Sequence, residues 1–530
     1  MDISSRWTVG RIAWAMTVAL TMGPMVAHAE GTIEHVPVAG TASVPPAAPP
    51  EERFELEPIL TAIVQSHVAA EERLPGQQPI VVPHVWYSDT GDVLNVELGK
   101  AYLPTDYTIT FEEQVNAIVD LLISYTEQRT PIYRVDVWFE GKDIFDYFPD
   151  ERGPEDRVVP KQVQEAKYRP KRDLGNGRVL ISAGHGIYYN SRYKDWRAQR
   201  DPVNRVVEDF WTPSFARRLA KLLQERSDSE VVQARSSDAT RHADSNMPWS
   251  YMAARYHIQT MLPELPSIWN SPGKSALGME ERDQDTRSRP LFANHLGADA
   301  AIHLHTNADA RPEVRGIRVF HHMQSPESKR LADLALCYMK ESLSSNDFYS
   351  TFPVARQAIP KNHGENRLAT MPSIIAELGF HTNKDDADAI QNDSFQVLTM
   401  RGLEKAYRMF KQGNECVPFG ATYSDVTVMS DSIAEASITF AGFPRFPVRL
   451  ESVVAECPPG VMCWPLAGYF KKPTDPLAIS HSCLAKEPFT MKWNVRFIDA
   501  DGISARTTAV MHCKPKAKTP LVRVNTYFMY

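Results

Sequence analysis

The chain has no surplus of basic residues: 58 lysines and arginines face 65 aspartates and glutamates, for a formal net charge of −7. A nucleic-acid-binding face needs a basic patch to neutralise phosphates, so nucleic acid is not an expected partner. Long apolar runs are equally scarce. Apart from an interrupted stretch at 12–27, no window is apolar enough to span a bilayer, which excludes a polytopic membrane protein. Cysteine is sparse, six in 530 residues. No C-x-x-C pair occurs, so a zinc site built from cysteines is the weaker reading of them. What is present is ordinary globular composition, 43% hydrophobic, 23% charged and 10% aromatic, which argues against a disordered or fibrous chain. The length is too great for one core, and at about 150 residues per domain it predicts three or four units.

The first of these features is an address. Arg6 and Arg11 precede the apolar stretch, and Ala27-His28-Ala29 supplies the small residues of a cleavage site, so 1–29 reads as a signal peptide. An uncleaved anchor is the alternative, disfavoured because Gly23 and Pro24 interrupt a run already short for a bilayer. The expected location is outside the cytoplasm, periplasmic or extracellular and associated with the envelope, with no transmembrane segment after cleavage. In an oxidising compartment Cys457, Cys463, Cys483 and Cys513 predict two disulfides, with three connectivities open. Cys337 and Cys416 read as buried thiols.

Residues 30–78 read as a Pro/Ala-rich tether and linker. Between 79 and 150 the pattern changes to a small α+β module: Val93-Leu94-Asn95-Val96 is a strand, Val115, Ile118, Val119 and Leu122 recur at helical spacing, and Val135, Val137 and Phe139 alternate. The strand Val93-Leu94-Asn95-Val96-Glu97-Leu98, with Val135-Asp136-Val137-Trp138-Phe139-Glu140-Gly141-Lys142 ending in a turn, resembles the GerMN-type domains of bacterial envelope proteins. That resemblance implies an accessory module without catalytic residues. A basic linker follows at 151–176. From 177 to 413 short apolar strands at 178–182, 300–304, 317–320 and 373–376 alternate with amphipathic helices, such as the stripe Phe215, Leu219, Leu222 and Leu223. This predicts an α/β catalytic domain with a mainly parallel, helix-covered sheet, whose site lies at the carboxyl ends of the strands. An insertion at 239–287 carries Trp249, Tyr251, Tyr256 and Trp269. It is expected to cover or border the cleft, either stacking on sugar rings or blocking the site until a partner moves it, with packing the competing reading of its aromatics. Residues 420–530 lose helical periodicity, and Met491, Trp493, Val495 and Phe497 alternate strictly, predicting a disulfide-containing antiparallel β-sandwich.

Four polar residues stand at strand ends or helix starts of the middle domain. His185 follows the first strand, Glu208 precedes a helix, and His305 and Glu377 each end a strand. Two imidazoles and a carboxylate suit a catalytic zinc that keeps a position open for water, while a second carboxylate moves the proton. Together these parts hydrolyse an amide. The motifs resemble the zinc-dependent N-acetylmuramoyl-L-alanine amidases of the amidase 3 type: Ala183-Gly184-His185-Gly186, then Glu208, then His305-Thr306-Asn307-Ala308, then Met371-Pro372-Ser373-Ile374-Ile375-Ala376-Glu377-Leu378-Gly379-Phe380-His381-Thr382-Asn383. The resemblance implies Zn2+ held by His185, Glu208 and His305, with Glu377 as general base and acid. It implies peptidoglycan as substrate, cut between N-acetylmuramic acid and L-alanine.

The chain departs from that family at three positions. Ser182 stands where an acidic residue is common, Ile187 where a second glycine is, and His303 where a serine is. His303 shares a strand face with His305, so it either supports the site or replaces His305. Glu208 competes with the adjacent Asp209, and the helix starts either at Thr212 or near Asp201-Pro202. His321, His322, His363 and His381 read as solvated or supporting residues. The rival functions are a zinc peptidase trimming stem peptides and a catalytically silent wall-binding scaffold. A protein activator is an open partner.

Overall fold

The structure, a computed structural model, describes residues 49–127, 129–130, 132–154, 177–271 and 278–516. The expected signal peptide, the tether up to residue 48 and the linker from 155 to 176 lie outside them. No helix among the described residues is long and apolar enough to cross a membrane.

The assignment of 30–78 as tether and linker needs correction. Pro50–Ala70 is a 21-residue helix that buries Leu60, Val64 and Val68. Pro50 occupies its first turn, where a missing N–H costs nothing. The three buried residues recur every four positions, which is helical spacing. The surrounding prolines and glutamates masked that stripe in the sequence.

This helix packs on a three-stranded sheet in which His84–Tyr87 runs antiparallel to Val93–Glu97, itself parallel to Arg134–Trp138. A parallel pair needs a crossover, and the helix Ile109–Thr126 provides it. Thr108 caps that helix by accepting from the Phe111 N–H at 3.1 Å.

The catalytic domain holds a six-stranded sheet in the spatial order Ile359–Pro360, Arg318–His321, Ser373–Phe380, Ala300–Asn307, Arg178–Ala183, Glu230–Gln233. Arg318–His321 runs antiparallel to Ser373–Phe380, and the other pairings are parallel. Strand alternation divides its faces. Val179, Ile181, Ile302, Leu304, Ile374 and Ala376 enter one core with the helices Glu208–Arg226, Pro326–Ser344 and Asp393–Lys411. On the opposite face Leu180 and Ala301 meet the helices Ala254–Met261 and Glu280–Leu296. The rest of that face is covered differently: Phe320, Ile359 and Ile375 belong to the core of the N-terminal module.

The module is thus a layer of the catalytic fold. Charge pairs fix it there, with Glu112 on Arg367 at 2.8 Å, Asp120 on Lys361 at 2.7 Å and the exposed Glu127 on Arg318 at 2.7 Å. Arg367 and Glu112 are both enclosed, so removing Glu112 leaves a buried charge, a loss of about 3–5 kcal/mol in such settings.

After residue 420 the chain forms a three-stranded and a five-stranded sheet. They share one core, in which Tyr423 and Ile438 of the first meet Val448, Leu450, Trp493 and Phe497 of the second. Cys457 pairs with Cys463 and Cys483 with Cys513. Cys337 and Cys416, expected as thiols, form a third disulfide. It ties the helix Pro326–Ser344 to the segment leaving the last catalytic helix; the 79-residue separation hid the pairing in the sequence. Replacing both by serine is expected to lower stability by about 2–4 kcal/mol, read from urea denaturation. An unchanged midpoint would show that this bond contributes nothing.

Candidate active site

Residues 301, 303 and 305 alternate onto the same sheet face as 375 and 377, and Glu377 lies directly beside His305 in the strand register. The helix Glu208–Arg226 begins at Glu208 itself, with Val207 as its N-cap. Neither expected start, at Thr212 or near Asp201, is the observed one. Pro213 sits inside this helix and leaves the Asp209 carbonyl without its helical donor. The buried Arg235 supplies the replacement at 2.8 Å, and also donates to the Gly184 carbonyl at 2.9 Å.

Asp209 and Glu208 have separate tasks. Asp209 accepts from the N–H groups of Gly186 and Gln199, both at 2.8 Å, and so staples the loop that carries His185. Glu208 turns the other way. Its Oε1 accepts from the Thr306 N–H at 2.8 Å and lies 3.1 Å from His305 Nδ1, and its Oε2 lies 3.4 Å from His185 Nε2. His185 Nε2 and His305 Nδ1 are 3.2 Å apart. The three residues therefore form a triangle whose contacts span 3.1–3.4 Å, with Glu208 turning one carboxylate oxygen toward each imidazole. A tetrahedral ion with bonds of about 2.0–2.1 Å requires donors about 3.3–3.4 Å apart, so the set fits zinc. His185, Glu208 and His305 are also the candidate metal-holding group among the described residues. His303, the alternative to His305, lies outside that triangle.

The backbone supports this closeness. His185 has φ +56°, in the left-handed region that non-glycine residues seldom adopt. At Gly184 an added Cβ would fall 2.5 Å from the His305 ring, so only glycine lets the second imidazole lie over the first strand.

Burial works against ionising Glu208, but the neighbouring imidazoles of His185 and His305 outweigh it and hold the carboxyl well below its usual range. Burial, helped by Arg200, keeps His185 neutral, the form a metal ligand needs. His305 behaves oppositely: burial lowers it, yet Glu365 and Glu208 overcome that and push it up to about 10. The cluster thus demands positive charge at its centre. Glu377 is enclosed and its Oε2 has no hydrogen-bond partner. Burial pushes its carboxyl up to about 8, with His305 opposing and Glu208 adding to the effect.

Several site residues escaped the sequence reading. Glu365, on a one-turn helix ahead of the Glu377 strand, places Oε2 3.0 Å from His305 Nε2 and Oε1 3.4 Å from His303 Nδ1. Nothing in its sequence context marks it. Asp285 and Arg289 did leave a signal, an acid–base pair four apart on the same helix face as Phe292. The N-terminal module was also missed: His67, Glu113, Asn116 and Asp120 line the cavity of about 430 Å³ into which His185, His305 and Glu377 open. His363 and His381 line it too, whereas His321 and His322 are buried outside it. In the insertion, Tyr251, Tyr256 and Trp249 pack with Ile187 and Met252 behind the His185 loop, and Trp269 joins the core under the helix Glu280–Leu296. These rings are committed to packing, which accounts for Ile187 where the family commonly has glycine.

Residues 179–406 match the family described as N-acetylmuramoyl-L-alanine amidase, amidase 3. This stretch is an amidase 3-type catalytic domain. Solved structures similar to the chain include the catalytic domain of CwlV, an N-acetylmuramoyl-L-alanine amidase from Bacillus (Paenibacillus) polymyxa var. colistinus, at 16% identity, with 44% of this chain and 98% of that one covered and a TM-score of 0.28. The CwlD amidase of Clostridioides difficile, solved with the GerS lipoprotein, gives 14% identity, 45% and 100% coverage and a TM-score of 0.32. AmiC2 of Nostoc punctiforme, an N-acetylmuramoyl-L-alanine amidase, gives 18%, 44% and 97%, and 0.29. No curated protein matches the chain.

In the amidase domain, Gly184→Ala is expected to weaken zinc binding about 10–100-fold by displacing the His305 ring, with the far-UV circular dichroism unchanged. Zinc competition with a chromophoric chelator measures it, and wild-type affinity would refute the packing argument.

Proposed function

We propose that the protein is an exported, zinc-dependent peptidoglycan hydrolase, cutting the amide between N-acetylmuramic acid and the L-alanine of the stem peptide. The observation that carries this reading is the triangle of His185, Glu208 and His305 beside an unpartnered, buried Glu377, inside a domain of the amidase family.

His185 Nε2, Glu208 and His305 Nδ1 would hold the metal. When bound, zinc polarises the amide carbonyl and lowers the pKa of water toward neutrality. The remaining steps belong to the chain. Glu377 Oε2 takes a proton from the attacking water as its oxygen bonds to the lactyl carbonyl carbon. The same proton then goes to the alanine nitrogen as the C–N bond breaks. The lactyl carboxylate and a free L-alanine amino terminus are the products. Glu377 is placed for both halves of that transfer, beside His305 in the strand register and with Oε2 unpartnered.

Outside the chemistry, the proposed parts are the signal peptide, an envelope location and a GerMN-like accessory role for the module at 79–150. The disulfides and the family support an oxidising, wall-facing compartment.

Two measurements test the reading. Digestion of purified sacculi should release intact stem peptides beginning with L-alanine, and a chelator should abolish the release. Shortened stems would identify a peptidase, and no soluble product a silent scaffold. Glu377→Gln should keep zinc content near wild type and reduce turnover by about 10²–10⁴-fold; persistent turnover would remove Glu377 from its role.

A further inference from the structure

Both imidazoles of the triangle have a second ring nitrogen, and each points into buried polar groups. His185 Nδ1 lies 3.2 Å from Gln199 Oε1. Gln199 Nε2 donates to Asp285 Oδ2 at 2.9 Å. That same Asp285 oxygen accepts from Arg289 Nη2, and Arg289 Nη1 donates to Glu365 Oε1 at 2.5 Å. Glu365 Oε2 then lies 3.0 Å from His305 Nε2, a charge contact that is not aligned as a hydrogen bond. Arg289 and Asp285 are 1% and 0% exposed at their side chains, so water does not screen the pair.

We infer that Arg289 anchors one continuous buried chain of polar groups that sets the tautomer of both metal-binding histidines, with Gln199 and Glu365 as its two terminal positioning residues. The inference rests on the zinc reading proposed above.

The logic follows from which groups donate. Asp285, ion-paired to Arg289, only accepts, so Gln199 must offer it the amide N–H and turn its carbonyl toward His185. A carbonyl also only accepts, so His185 Nδ1 carries the proton and Nε2 the lone pair. Nε2 is the atom in the metal triangle. At the other end the Glu365 carboxylate, ion-paired to Arg289, faces His305 Nε2 and directs a ring proton there, so that Nδ1 is the nitrogen that turns to the metal when one is bound. Nδ1 is again the triangle atom. The two histidines therefore use different ring nitrogens, and one guanidinium dictates both choices. Arg289 Nη2 further reaches the His185 carbonyl at 3.4 Å, which braces the left-handed residue that presents the ring. His303 gives Glu365 a second neighbour and is a supporting group rather than a ligand.

Arg289→Met would strand two buried carboxylates and is a poor probe. The test uses Glu365→Gln and Gln199→Leu in the full chain, each acting at one histidine. Zinc affinity, read by chelator competition, is expected to fall about 10–100-fold in each, with native thermal melting. Nitrogen-15 spectra of histidine-labelled, metal-free protein should show His185 as the Nδ1–H tautomer, shifting toward Nε2–H in Gln199→Leu. A purely structural role for Gln199 would leave that tautomer unmoved. Should Glu365→Gln fail to fold, Gln199→Leu, whose site is half-buried, carries the test alone. Wild-type affinity and an unmoved tautomer in the folded variants overturn the inference by itself; wild-type protein that takes up no zinc overturns it together with the proposed function.

Discussion

Glu208 must stay ionised while wholly enclosed, and much of the amidase domain is arranged around that requirement. An isolated carboxylate in such a place would take up a proton. Here the Thr306 N–H and two imidazoles compensate for lost water. This fixes the start of the helix Glu208–Arg226 against the end of the strand Ala300–Asn307. Asp209, Thr212 and Arg235 then secure that junction from behind, with Thr212 donating to the Gly184 carbonyl at 2.9 Å. The irregular features nearby, a proline inside a helix and a left-handed histidine, follow from bringing a helix start, a strand end and a loop to one point.

Two further carboxylates share the cavity but have opposite surroundings. Glu377 has burial pressing on it and an oxygen without a partner, the condition of a group that exchanges protons. Glu365 is equally enclosed. Burial would raise it too, yet His305, Arg289 and His303 hold it well below the usual carboxylate range. It keeps its charge and serves as an acceptor. Arg289 and His303 face Glu365 and not Glu377, which has Glu208 as a like-charged neighbour instead.

The sequence was most informative where chemistry needs a particular residue at the end of a regular element. His185 follows one short apolar strand, and His305 and Glu377 lie near the carboxyl ends of two others; the mainly parallel, helix-covered sheet follows from the alternation of such strands with amphipathic helices. Glu208 was legible through the amidase motifs, while the local start of its helix was not, because Val207 is an unremarkable N-cap and Pro213 suggests a later beginning. Glu365 was invisible for a different reason: its importance comes from tertiary contact with His305 and Arg289, and a polar one-turn segment advertises nothing. Ser182 and His303 looked like two separate departures from the family pattern. In the sheet they are direct neighbours across paired strands, so a small residue on one offsets a large one on the other. The helix Pro50–Ala70 is hidden in the sequence because prolines and glutamates surround a stripe of only three buried apolar residues.

The module's place on the sheet sets a limit on how this enzyme can be divided. A fragment starting near residue 177 would uncover Phe320, Ile359 and Ile375 and deprive Arg367 and Lys361 of their counter-charges. It would also lose one wall of its own reaction chamber, since Glu113 and Asn116 would be gone. A ligand entering this chamber meets side chains from both halves of the polypeptide. Substrate preference is accordingly a joint property, written partly in residues upstream of the segment that carries the catalytic motifs.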